Sequence, residues 1–113
     1  MQAKYIYRTV EVTEAGDNGK KFFENPLNQT IKVVKVWGLL EGTNVKGQLV
    51  FNDSKGPDVK SDIQLTSATF DGDVRKAIDL DMVLEPKDVI EIKVVLESGT
   101  FDKLTLVFQI EVQ

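Results

Sequence analysis

Four aspartates fall within eleven residues of one segment: Asp71, Asp73, Asp79 and Asp81 in DGDVRKAIDLD. Carboxylates this close offer the oxygen ligands that calcium takes from loops of β-sandwich modules. The same residues have a plainer role. Asp71 and Asp73 are turn formers, and Asp79 and Asp81 occupy the polar parity of a strand whose other parity is Ile78, Leu80 and Met82. The plainer role is preferred, so no metal and no cofactor is assigned. Histidine and cysteine are both absent. This removes the usual general base, the Ser-His and Cys-His nucleophile pairs, and zinc. Ser54, Ser61, Ser67 and Ser98 sit in no nucleophile elbow, and no glycine pattern matches a phosphate loop. A glycosidase needs only two acids flanking a cleft, but a chain with short connections leaves little room for one. A non-enzyme is expected.

Binding chemistry is better represented. Trp37 is the only tryptophan, with Lys35 two residues before it in KVVKVWGLLEG. Ile31, Val33, Lys35, Trp37 and Leu39 share one parity, and Lys32, Val34, Val36 and Leu40 share the other. A strict period of two cannot bury both sets. Either both faces of the strand are covered, or the phase changes near Val33 and Val34 through a bulge. A phase change would point Val34, Val36 and Leu40 inward and turn Lys35 and Trp37 outward together. An outward Trp beside a lysine suits a protein-protein contact or a sugar platform. Without the change Trp37 is core and Lys35 must reach past the edge to water. Tyr5 and Tyr7 lie on the polar parity of the first strand, where they either join Trp37 or rim the molecule. Trp37, Lys35, Tyr5 and Tyr7 are therefore the candidate interface or ligand contacts.

The elements that must position these residues are strands. Apolar alternation recurs in KYIYRTVEV, in the run Thr30 to Leu40, in Val45 to Asn52, in VKSDIQLTSATF, in AIDLDMVL, in VIEIKVVLE and in KLTLVFQIEV, with a short KKFF between the first two. TEAGDNG, ENPLN, EGTN, DSKGPD, DGDVRK, EPKD and SGTFD punctuate them, with one helical turn allowed at Asp73 to Lys76. About eight strands with one apolar face each make an all-β, antiparallel two-sheet sandwich, with a jelly roll preferred over seven-stranded Greek-key forms. At 113 residues the chain is one domain, 1–113, and chains of this size bury roughly 65% of their unfolded surface.

The formal charge is −4, and the excess is uneven: 8 basic and 6 acidic residues precede Gly56, whereas 6 basic and 12 acidic follow it. A surface that neutralises phosphates needs clustered Lys and Arg, so nucleic acid is not an expected partner. No run resembles a membrane span, and none a secretory signal, so synthesis in the cytosol or a mature chain behind an added methionine is expected. The sequons at Asn28 and Asn52 are read as chance.

The eight-strand pattern and the segment LEPKDVIEI, Leu84 to Ile92, resemble small jelly-roll structural proteins of phage and other virions. Pro86 and Asp88 shape a turn there, and no functional residue carries over. The resemblance implies a non-catalytic component of a virion, such as a capsid decoration, minor capsid or tail-associated protein. Its partners would be copies of itself and other structural proteins. The alternative is a carbohydrate-binding or adhesion module, extracellular or at a cell surface, in which Trp37 with Tyr5 or Tyr7 would stack on a glycan.

Overall fold

The computed structural model describes residues 4–53 and 59–112. Most of the DSKGPD loop, at 54–58, lies outside them. Six strands run in chain order: β1 Lys4–Val12, β2 Lys21–Glu24, β3 Ile31–Asp53, β4 Val59–Leu65, β5 Ile78–Leu84 and β6 Val89–Val112. Short 3-10 turns stand at Asp17–Gly19 and Val74–Lys76, the second within the expected Asp73 to Lys76 turn, and no α-helix occurs among the described residues.

β3 and β6 run for 23 and 24 residues, about four times the length of an ordinary strand. They pair antiparallel along almost their whole extent, from Ile31 opposite Val112 to Asp53 opposite Ile90. EGTN and SGTFD, expected as loops, are instead the bend of this ribbon. The register slips between Glu41 and Gly42 and again between Thr43 and Gly47, while Asn44 and Gly99 take φ of 51° and 89°. A Cβ on Gly99 would overlap the Asn44 carbonyl oxygen, so the two backbones cross there only because residue 99 is glycine. Turn-forming residues also build bulges, and here a paired partner strand carries the chain through.

The bend brings the two halves of the ribbon face to face. Phe108, in the second half of β6, packs against Phe51 in the second half of β3 and Phe23 in β2, with ring centroids 5.8 and 5.5 Å away. β1 and β5 flank the ribbon in one layer, pairing with the second half of β6 and the first half of β3. β2 and β4 flank it in the other, pairing with the first half of β6 and the second half of β3. Counted as eight segments in chain order, the layers read 1-8-3-6 and 2-7-4-5, the order of a jelly roll. The hydrogen-bonded ladder continues through the bend and joins all six strands. The expected sandwich and its strand order are therefore present, with four of the eight segments fused pairwise.

The core follows from alternation. Leu49 and Phe51, Ile90, Ile92 and Val94, and Leu104, Leu106, Phe108 and Ile110 are all fully buried. Each such side chain contributes about 1.5–3 kcal/mol by leaving water. β4 ends at Leu65 rather than Phe70, because Thr66 and Thr69 close a turn: the Thr69 N–H donates to the Thr66 carbonyl at 3.2 Å and to its Oγ1 at 3.2 Å. One buried polar side chain joins the loops at an end of the sandwich. Asn25 Nδ2 donates to the carbonyls of Gln29 (2.9 Å) and Leu84 (3.1 Å), and its Oδ1 accepts from the Leu27 N–H at 2.9 Å.

Candidate interaction face

The bulge decides where Trp37 points. Val33 lies opposite Ile110 and Lys35 opposite Gln109, so Val34 has no counterpart on β6. The same slip separates Val33 from Lys35 against β5. Ile31 and Val33 before it, and Val36 and Leu40 after it, are all buried. Lys35, Trp37 and Leu39 consequently share the outer face. Val34 itself is half-buried as the extra residue, where a phase change alone would have pointed it inward.

Across that face β1 contributes Tyr5 and Tyr7, β6 Val107 and Gln109, and β5 Val83. Tyr5, Tyr7, Leu39 and Val83 are 45%, 50%, 45% and 46% exposed, and Trp37 and Val107 are half-buried. Tyr7 and Trp37 meet across β6 with ring centroids 6.1 Å apart and planes at 67°, an edge-to-face arrangement favoured by the ring quadrupoles. The Gln109 amide reaches the Tyr7 hydroxyl at 3.5 Å. Of the four candidate contacts, Tyr7 and Trp37 thus touch. Tyr5 lies on the same face one repeat along β1, and Lys35 stands at its β5 side, 4.0 Å from Asp79.

Most of the charges around the apolar centre are paired within the chain, with Glu111, between Tyr5 and Lys32 on β6, outside these pairs. Lys32 lies 3.6 Å from Asp81, and Lys103 lies 3.8 Å from Glu11 and 3.6 Å from Glu41. Leu39, Val83 and Val107 belong to the face and were not singled out in the sequence. Once Val34 is taken as the extra residue, parity alone places Leu39 with Trp37.

The four aspartates do not converge. Asp71 accepts from Lys76 Nζ at 2.6 Å and from the Asp73 N–H at 3.0 Å. These bonds, the Lys76 one foremost, hold its carboxyl below the ordinary 3.8. Asp73 is held low in the same way by Arg75, whose side chain and backbone N–H both donate to it. Asp79 and Asp81 pair with Lys35 and Lys32. Each carboxylate has a cation of its own, and among the described residues no three His, Cys, Asp or Glu side chains are grouped to hold a metal.

The turn carrying Asp71 also supports the face. The Leu40 N–H donates to the Phe70 carbonyl and the Gly72 N–H to the Gly38 carbonyl, both at 2.9 Å, so residues 70–72 extend the layer along β3 where β5 stops. Two hollows accompany these surfaces. One of about 310 Å3 at an end of the sandwich is lined by Lys4, Ile6, Leu27, Asn28, Gln29 and Val112. The other, about 250 Å3, lies on the second layer beside the exposed Phe22, with Asn52, Val89 and Glu91. Neither gathers an acid, a base and a nucleophile. No helix among the described residues is long and apolar enough to cross a membrane.

No family model matches the chain, and no curated protein matches it. Among solved structures it is similar to the NLP-core of Drosophila, whose crystal structure is described as providing insight into pentamer formation and histone binding. The TM-score is 0.56 at 11% identity, over 99% of this chain and 100% of that one. At this identity the likeness is one of fold.

The likeness corrects the functional expectation. The fold neighbour is a pentamer-forming, histone-binding core and not a capsid, decoration or tail protein, so the virion role is withdrawn together with virion structural proteins as partners. The exclusion of nucleic acid is withdrawn as well, because the neighbour binds histones and net charge alone does not decide this chain's partners. Self-association is compatible with the neighbour. The expectation failed because strand count and a turn motif specify an architecture, and one architecture carries many functions.

Proposed function

We propose that this chain is a non-catalytic, oligomeric jelly-roll core that binds a basic protein of the histone type. The observation that carries the reading is the match to the Drosophila NLP-core over the full length of both chains. The charge of this chain supports it. A protein of net charge −4, with twice as many acidic as basic residues after Gly56, attracts a strongly basic partner. The absence of histidine and cysteine fits a binding role.

The test is calorimetry of the purified chain against a histone dimer, with lysozyme as a basic control, alongside light scattering. The expected result is saturable histone binding that weakens with added salt, little binding of lysozyme, and a molar mass several times 12.6 kDa. A chain that retains no histone at low salt would not be a histone binder, and a strictly monomeric chain would not be an oligomeric core.

A further inference from the structure

We infer that the outer face of the β1–β5 layer, centred on Tyr7 and Trp37, is the surface through which one copy of this chain meets another. The inference rests on the self-association in the proposed function and says where on the molecule it occurs.

Three observations carry it. The first is continuity. Tyr7, Trp37 and Val107 meet across β1, β3 and β6 and Leu39 follows along β3, while Tyr5 and Val83 stand at the two ends of a row filled by Glu111 and Lys32. The largest apolar patch on a soluble chain is often a functional one. The second layer exposes Phe22 beside Glu91 and Val95 beside Gln48, with no aromatic contact among the described residues of its outer side.

The second observation is the bulge. A regular β3 would have kept Trp37 in phase with Ile31 and Val33, inside. The extra residue Val34 turns a tryptophan and Leu39 toward water, an arrangement that hydrophobic burial within one chain does not favour and burial between chains does. Trp37 is already ordered by its edge-on contact with Tyr7, so little rotamer freedom remains to be lost on association.

The third is charge. A histone-type partner would call for carboxylates free to meet its lysines and arginines. Around this face Asp79, Asp81, Glu11 and Glu41 are already paired to Lys35, Lys32 and Lys103. Glu111, between Tyr5 and Lys32 on β6, stands outside these pairs, and the rest of the rim can be covered without stranding a charge. The face suits a surface of this same chain, which carries apolar residues and both signs of charge, better than a uniformly basic one.

The single tryptophan makes the test direct. Tyr7→Glu places a charge at the centre of the face on a residue that is half exposed, and Tyr5→Glu repeats the change away from the Trp37 ring. In light scattering both variants should fall from the wild-type molar mass to 12.6 kDa while keeping a cooperative thermal transition. Dilution of the wild type to monomer should move the Trp37 emission to longer wavelength as the ring becomes wet. An oligomeric wild type whose folded Tyr7→Glu and Tyr5→Glu variants keep its molar mass, or whose dissociation leaves the Trp37 emission unmoved, overturns this assignment and leaves the proposed function standing. A wild type that is monomeric at every concentration overturns both.

Discussion

Phe51 and Phe108 face each other edge-on, with ring centroids 5.8 Å apart and planes at 67°, although the ladder pairs Phe51 with Ile92 and Phe108 with Val36. Their contact is tertiary: it closes the folded ribbon and lies at the centre of a core to which both layers contribute. Removing either ring leaves a cavity that neighbouring β-branched side chains, fixed in their rotamers, cannot fill. Phe108→Ala should therefore cost about 3–5 kcal/mol in denaturant unfolding. Phe22→Ala, at a ring 62% exposed on the neighbouring β2, should lie within about 0.5 kcal/mol of wild type.

Deleting Val34 tests the bulge itself. Without the extra residue, β3 can keep Ile31 and Val33 in register or Val36 and Leu40, but not both sets, because a slip of one residue sends a whole set to the other face. Each large apolar side chain turned out should cost about 1.5–3 kcal/mol. Val34→Ala keeps the extra residue and should cost about 1 kcal/mol. A deletion variant as stable as Val34→Ala would show that the phase change is not what buries both sets.

Asn25 joins three segments at one end of the sandwich: its own loop through Leu27 and Gln29, β5 through Leu84, and the β5–β6 turn through its backbone N–H on the Asp88 carbonyl. Asn25→Ala removes the amide from the buried Leu84 carbonyl and from the part-buried Gln29 carbonyl and Leu27 N–H, for an expected loss of about 2–3 kcal/mol. Asn25→Asp should be worse at neutral pH, since a carboxylate would face the two carbonyl oxygens that now accept from the amide. Urea unfolding of the two variants side by side checks the order.

How much of this was legible in the sequence depended on the range over which each feature is decided. Ile90, Ile92 and Val94 announce their strand by alternation, and all three are buried. The conflict between the parity of Ile31 and Val33 and that of Val36 and Leu40 was readable too, because two buried sets cannot share one period, and a bulge resolves it. EGTN and SGTFD misled, since Asn44 and Gly99 provide the same positive φ in a bent ribbon that they would in a hairpin. Asn25 was invisible: its partner Leu84 is 59 residues away, and nothing local distinguishes it from any other loop asparagine. An outward Trp37 beside Lys35 was one of two orientations that the parities left open, and Tyr5 and Tyr7 could equally have rimmed the molecule; the kind of partner was not decided by any residue pattern, and the fold neighbour redirected it.

Acid should loosen the 70–76 turn before it reaches the core. Lys76 holds the Asp71 carboxyl below its ordinary 3.8, and Arg75 does the same for Asp73. A carboxylate whose folded value lies below its unfolded value stabilises fully above the unfolded value, and that contribution is lost as pH falls through the folded one. From about pH 5 to pH 8 these two groups should therefore give no pH dependence, and their contribution should decline only below about pH 4. Asp73→Asn keeps a turn-forming side chain but removes the charge facing Arg75. Its stability deficit, measured by urea midpoint, should be constant at neutral pH and shrink toward zero in acid. Because residues 70–72 extend the layer beside Leu39, two-dimensional NMR in the same titration should show the amides of Leu40 and Gly72 moving together with the two carboxyls. A deficit that grows on acidification would mean that Asp73 serves the fold through something other than its charge.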